Sequence, residues 1–599
     1  MNKLLERKDI NNNDKWAIET IYKSDDEFEK DFLKAQKELE KYKKYVKKFL
    51  DSKEDFKDLF LYSEKYERLT EKLSLYASMK QDEDTRVSKY QEMGGKLELF
   101  FTKYSEIDSE IVPRMLKFDE KKLKDYINQE ELKDYKFFFE RILEYKKHSL
   151  TEEQEKLIST LSPIINNGGE VAYYLMNADM KFGKIKDRNG KDIELNDSNY
   201  LELLESDSRE ERKNAFEKYH KVYGRVNNTL ASTYYETVKA DDITAKLRKY
   251  KNTLNSFMEG SKIPEEVYTN LIDTVHKNLD TCYKYFEVKR KLLGLKDFHI
   301  YDNFAKVVKK VSKKYTFDEA KDIVLDALSV YGNEYIKVLN RAFNERWIDK
   351  YPNVGKRSGA YSTGNYESYP FVLMNFTGTY EDVSTIAHEL GHSMHTYFSN
   401  KYNKEVNSHY PIFLAEIAST TNELLLSHYM YNKAKTKEEK ISILNERLNL
   451  YKSTIYRQTM FAEFELIAHK EVEKGNVLTA DLLNKTYYDL NKLYYGDKVV
   501  VDECSKYEWS RIPHFYSPFY VYKYATSLSI ASYIADNIIN NTPNFKDKYI
   551  EFLKSGGRDY PLDILKIIDI DLSDTTVFEN ALNTFKKDLN TFEELTKEE

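Results

Sequence analysis

Apolar residues recur at helical spacing along most of this chain. From 24 to 50, Phe28, Phe32, Ala35, Leu39, Tyr42, Val46 and Phe49 form one stripe, the spacing that buries one face of a helix. Ser24 with Glu27 reads as a capping box at its start. The period continues over 54–80, with Leu59, Tyr62, Tyr66 and Leu69, and over 84–110, 119–147 and 151–162. These segments predict antiparallel helical hairpins with short connections, and no fixed repeat period marks a solenoid. The run Asn166-Asn167-Gly168-Gly169-Glu170 then breaks the pattern; 171–185 is richer in strand formers, and Asn189-Gly190 is a hairpin signal. We expect a small β element there and a boundary near residue 200, with 1–200 an N-terminal helical lobe and 201–599 a second domain. Helical period resumes over 199–205, 207–236 with Asp207 as its cap, 238–248 and 264–293, and later over 411–423, 439–470, 480–495 and 543–599. Between these, 371–376 is a short apolar run bounded by Pro370 and Gly378 and reads as a strand.

Composition supports a mainly α protein. Only 19 Gly and 10 Pro in 599 residues favour long helices over turn-rich β architecture, and 50 Tyr with 32 Phe supply a large core with polar tips. The net charge of −7 has both signs interspersed and no basic stripe, which argues against a nucleic-acid partner. No apolar stretch approaches the length of a membrane span. The first residues lack the apolar run of a secretory signal, and Cys282 and Cys504 are isolated, so no disulfide framework is expected and the expected location is cytoplasmic.

The candidate chemistry centres on His388-Glu389-Leu390-Gly391-His392, an H-E-x-x-H pattern. On a helix, positions four apart share a face, so both imidazoles can reach one metal ion. Glu389 falls on the flank, where a general base for a metal-activated water belongs. Val383, Ile386, Ala387, Leu390 and Met394 surround the pattern, and charged groups in an apolar segment are costly unless paired. Gly391 weakens the helix and implies close approach of another backbone. A catalytic zinc needs a third protein ligand and an open position. Residues 411–423 offer Glu416, with Glu423 two turns on as a hydrogen-bond partner for a ligand histidine. The rival third ligand is His395, on the motif helix itself. It lies about 10.5 Å along the axis from His388 at 1.5 Å per residue, which closes poorly around a tetrahedral ion. Further on, 511–535 holds His514 and Tyr516, Tyr520, Tyr522 and Tyr524. Tyr520 and Tyr524 share a helix face, and tyrosine hydroxyls or a histidine can stabilise the oxyanion of a tetrahedral intermediate.

The motifs TIAHELGHSMH, FLAEIASTTNE and PHFYSPFYVYKYATS, in this order and spacing, resemble the thimet oligopeptidase family of zinc peptidases, and in particular its bacterial oligoendopeptidase F branch. GKRSGAY before the strand, WAIETIY at 16–22 and SREERKNAFEKY at 208–219 fit that branch too. The resemblance implies a mainly α, zincin-like fold of two helical lobes around a deep substrate channel, with a small β element beside the zinc helix. It implies one zinc per chain on His388, His392 and Glu416, Glu389 as general base and His514 as the transition-state histidine. The tyrosine register stays open, with Tyr520 and Tyr524 preferred to Tyr516 and Tyr522. The implied activity is endopeptidase cleavage of short unstructured oligopeptides, with the substrate strand along 371–376. Two alternatives remain. A zinc exopeptidase on the same scaffold would need a cation to capture a free terminus, for which Arg357 and Arg511 are candidates. A non-catalytic helical binding protein would carry the motif incidentally.

Overall fold

The computed structural model describes residues 4–165, 167–307 and 313–597. The fold is mainly α, with small sheets only among the described residues. Its contacts divide the chain into two units. One is Met1–Lys146, Ser312–Met430 and Ile534–Ile570; the other is Lys147–Val311, Tyr431–Tyr533 and Asp571–Glu599. The chain therefore passes between units several times, where the sequence reading cuts it once near residue 200.

In the first unit, helix Asp25–Lys48 buries the predicted stripe from Phe28 to Val46, and Phe49 is buried just beyond it. The predicted capping box is absent. Ser24 makes no side-chain cap bond, and the Glu27 carboxylate instead accepts the Lys23 N–H at 3.0 Å, so the acidic partner serves the residue before the cap. Helices Lys53–Glu83 and Ser88–Asp108 complete an apolar cluster that runs on into Phe371 and Leu373. Those two residues belong to the strand Phe371–Leu373, which lies between the strands Ile348–Asp349 and Tyr361–Thr363. It pairs parallel with the first (Ile348 with Val372) and antiparallel with the second (Tyr361 with Leu373). The 371–376 run is thus a strand over its first half, but both of its edges are taken. A substrate backbone cannot add to it, and the expectation that the substrate lies along 371–376 is corrected. Ile348–Asp349 and Tyr361–Thr363 are the two edge strands, and the second is the longer.

Buried charges hold this sheet from below. Trp16 packs edge-on against Phe371 at 6.3 Å between ring centres and tilted against Tyr361 at 6.5 Å, while its indole N–H donates to Glu83 at 2.8 Å. Asp349, at the end of the neighbouring strand, accepts from Arg7 at 2.9 Å and Lys356 at 2.6 Å. Burial opposes its charge, but Arg7 and Lys356 outweigh that and keep the carboxyl below its ordinary range. Removing one partner of such a buried pair costs about 3–5 kcal/mol.

In the second unit, the β element is smaller than the strand formers suggest. Asn166 lies outside the described residues, but Asn167–Tyr174 is an α-helix and Leu175–Asp179 a π-helix. Among the described residues of 167–200, only Lys184–Lys186 and Asp192–Glu194 pair, antiparallel, around Asn189-Gly190. The glycines at 168 and 169 serve packing here and do not break the chain. A Cβ at Gly168 would stand 2.6 Å from the Thr233 carbonyl oxygen, and Gly169 faces the Tyr516 ring. Long predicted helices divide. The 207–236 segment becomes Arg209–Arg225 and Asn227–Leu247, and its cap is Ser208, not Asp207. The 264–293 segment splits at Asn278, and 439–470 is interrupted by a π turn at Lys452–Tyr456. The core of this unit is aromatic, with Phe464 at 5.1 Å from Phe515 and 6.2 Å from Tyr234.

Candidate active site

The motif lies on helix Tyr380–Tyr402. Thr379 accepts the Asp382 N–H at 3.1 Å and Asp382 accepts the Thr379 N–H at 2.9 Å, a reciprocal cap that fixes where the helix begins. A second helix, Ile412–Lys433, crosses it. At the crossing, a Cβ on Gly391 would stand 2.5 Å from the Ser419 Cα and 2.8 Å from the Ala418 carbonyl oxygen. Gly391 therefore does what its place in the motif implies and lets two backbones touch. Asn422, fully buried, locks the pair by donating to the Ala387 carbonyl at 3.0 Å and to Tyr335 at 3.1 Å.

That contact brings the donors together. The Nε2 atoms of His388 and His392 are 3.2 Å apart, and Glu416 Oε2 lies 3.5 Å from each. Ligands about 2.0–2.1 Å from a tetrahedral ion stand roughly 3.3 Å from one another, so the spacing and the two-imidazole, one-carboxylate donor set fit a zinc-sized divalent ion. Among the described residues no other group of three such side chains converges this way. Ser419 donates to Glu416 Oε2 at 3.0 Å. Glu423 Oε2 is 3.4 Å from His388 Nδ1, and Ser384 donates to its other oxygen at 3.5 Å. This chain of contacts orients the ring so that Nε2 faces the cluster.

The electrostatics agree. Burial works against a charged His388, yet Glu423, Glu389 and Glu416 together push its pKa up to about 9. Burial likewise opposes a charged Glu416, but His392 and His388 hold it down at about 2. The acid of the motif, Glu389, is buried and its pKa is raised by that burial, with His388 and His392 acting in the other direction. A carboxylate raised toward neutrality beside a ligand cluster is suited to taking and returning a proton.

His395, the rival third ligand, is excluded from this cluster. Its ring is fully buried and stacks on Tyr410 at 3.7 Å, with Phe552 at 5.5 Å. Burial pushes its pKa down to about 3. Two histidines seven apart on one helix thus meet opposite surroundings, one three carboxylates and the other two aromatic rings.

In the second unit, His514 sits in the short helix Pro513–Tyr516 and Tyr524 in the first turn of helix Tyr522–Ile539. His514 Nε2 and the Tyr524 hydroxyl are 3.3 Å apart, and the Tyr520 ring lies 6.0 Å from His514 and 5.5 Å from Tyr524. The His514 ring is partly covered, which lowers its pKa. The other two tyrosines are engaged elsewhere. The Tyr516 hydroxyl is 2.8 Å from Thr233 Oγ1, and Tyr522 is buried against Tyr268 at 5.0 Å. Sequence reasoning missed Ser419 and Asn422. The signal for Asn422 was an amide inside the apolar run 412–426, which demands buried partners.

Comparison with known proteins places this geometry. Residues 202–584 match the family model for Peptidase family M3, and residues 114–182 match that for Oligopeptidase F. These two matches fall on either side of residue 200, unlike the contact-defined units. The chain is 38% identical over 595 residues to Oligopeptidase PepF of Bacillus subtilis (strain 168), covering 99% of this chain and 89% of that one. It is 39% identical over 586 residues to an Oligoendopeptidase F homolog of Borreliella burgdorferi, covering 97% and 98%. The solved structure of oligoendopeptidase-F from Enterococcus faecium superposes with a TM-score of 0.75 at 32% identity, over 95% of this chain and 99% of that one. A mainly α fold with an H-E-x-x-H helix crossed by a glutamate-bearing helix is that of a peptidase. The chain belongs to peptidase family M3.

Proposed function

We propose that this protein is a zinc-dependent endopeptidase that hydrolyses internal bonds of short, unstructured oligopeptides. The observation that carries the reading is the convergence of His388, His392 and Glu416 beside the buried Glu389. The names of its relatives, oligopeptidase and oligoendopeptidase, agree with the substrate class. His388, His392 and Glu416 would hold the ion, which when bound lowers the pKa of a water and polarises the scissile carbonyl. Glu389 takes the proton from the attacking water and passes it to the leaving amine; its burial-raised pKa favours the first transfer. Glu423 keeps His388 in the tautomer that leaves Nε2 free of a proton. The peptide is assigned to the edge strand Tyr361–Thr363, which can bind an extended backbone by strand addition. The hydroxyls of Ser362 and Ser393, 2.9 Å apart, tie that strand to the motif helix. His514, Tyr524 and Tyr520 are assigned to the negative charge that develops on the carbonyl oxygen.

An exopeptidase would need a free cation for a terminal carboxylate. The Arg511 guanidinium is spent on Glu508 at 3.1 Å and Arg357 pairs with Asp82 at 3.2 Å, so neither candidate favours that reading. No described helix is long and apolar enough to cross a membrane; a cytoplasmic location is part of the proposal. The test is hydrolysis of an internally quenched peptide blocked at both ends, comparing wild type with Glu389→Gln and measuring zinc in both. Cleavage by wild type alone, with about one zinc per chain in each, supports the proposal. Trimming of free-ended peptides only would replace it with the exopeptidase.

A further inference from the structure

Between His514 and the tyrosine pair the backbone turns at Phe519, whose φ is +51°. A residue with a Cβ disfavours that left-handed conformation and keeps it only when its surroundings enforce it. Two contacts do so. The Phe519 ring is buried against His469 at 4.5 Å, Phe257 at 5.6 Å and Tyr268 at 5.7 Å. Its N–H donates at 2.6 Å to Oε1 of Glu465, on helix Arg457–Glu473. Glu465 is fully buried and its other oxygen has no hydrogen-bond partner. Burial raises its pKa well above the ordinary carboxyl value. A carboxyl group placed in such a site at this cost has one visible task, which is to hold the Phe519 amide. The helix beneath is fixed in turn, since His469 bonds the Glu465 carbonyl through Nδ1 at 2.9 Å and Asp241 through Nε2 at 3.2 Å.

We propose that Glu465 is a positioning residue that, through the Phe519 N–H, holds the turn placing His514 against Tyr520 and Tyr524. Glu465 does not touch substrate in this account. The inference rests on the endopeptidase reading for its effect on turnover, but not for its effect on the loop.

Two measurements test it. In steady-state cleavage of the blocked peptide, Glu465→Ala is expected to lose about 10–10² in kcat, the scale of a small misplacement of catalytic groups, with KM and zinc content unchanged. Glu465→Gln keeps an acceptor oxygen and should stay near wild type. Adding Tyr524→Phe to Glu465→Ala should cost little more than Tyr524→Phe alone, because residues acting as one unit are not additive. The second readout is the His514 ring resonance, identified by its loss in His514→Ala. It should shift in Glu465→Ala and stay in place in Glu465→Gln. An unshifted resonance in Glu465→Ala, or losses that multiply with Tyr524→Phe, would overturn the proposal. The shift together with an inactive wild type would uphold the positioning and refute the endopeptidase reading instead.

Discussion

The metal cluster and the tyrosine loop do their holding by different means. His388, His392 and Glu416 stand on two long helices whose backbones touch at Gly391 and Ser419. Glu423 braces His388 there and Ser419 braces Glu416. His514 and Tyr520 stand on a loop whose shape depends on one left-handed residue and one buried carboxyl, and Tyr524 begins the helix that follows. The first arrangement is rigid because helix packing dictates it; the second is set by a few local bonds. Under the proposed function, a fixed donor set suits an ion whose geometry must not vary, while a loop suits groups that would meet charge only as it develops.

The comparison breaks first on the motif acid. Glu389→Gln should lower kcat by about 10²–10⁴ and leave zinc bound; metal loss in this variant would mean that Glu389 braces the cluster. On the loop, Tyr524→Phe and His514→Ala should each lower kcat by about 10²–10³ with zinc content intact. Tyr520→Phe should cost less, since Tyr524 is the one within reach of His514 Nε2. Equal losses for both tyrosines would remove that ranking.

The pH dependence sharpens the metal side. In the metal-free protein His388 is raised from an ordinary 6.5 to about 9. Its charged form therefore stabilises the metal-free fold fully below pH 6.5, and that contribution fades as pH rises through about 9. Metal binding needs the neutral ring, so the sign reverses. Zinc affinity, measured against a chelator, should climb roughly tenfold per pH unit toward pH 9, and a flat profile from pH 7 to 9 would contradict the Glu423–His388 arrangement. Glu423→Gln should weaken zinc by about 10–100-fold. The smallest effect belongs to Gly391→Ala, which should cost about 1–3 kcal/mol of stability through overpacking, read by thermal unfolding, and loosen zinc several-fold without changing the kcat of the loaded protein.

What could be read from the sequence follows the same divide. The stripe from Phe28 to Phe49, the motif helix and Glu416 with Glu423 all rest on spacing within one helix, and spacing is local information. Gly391 was legible because a helix-weakening residue inside an apolar helical segment needs a packing reason. Strand order was not: 371–376 is apolar whether it lies at an edge or in the middle, and only the pairing with Ile348–Asp349 and Tyr361–Thr363 decides it. The run 166–170 reads as a break and 171–185 as strand-rich when their glycines and tyrosines are taken alone, without Thr233 and Tyr516 beside them. Glu465 was hidden for the same reason. One carboxyl among Phe464, Leu466 and Ile467 signals a buried polar need, but its partner is a backbone amide 54 residues away.

Position 391 also constrains how the gene can drift. Every other amino acid begins with the same first side-chain carbon, and it is that carbon, 2.5 Å from the Ser419 Cα, which does not fit. Every missense step away from glycine therefore meets the same backbone atoms at its first carbon, whatever its polarity or charge. By contrast, an exposed position such as Ile412 at the start of the crossing helix, 62% accessible, can be rewritten freely. No change at Ser419 can relieve the contact at Gly391, because the atoms met are the Ser419 Cα and the Ala418 carbonyl oxygen, which every residue carries; only a shift of one helix along the other would make room for a second carbon.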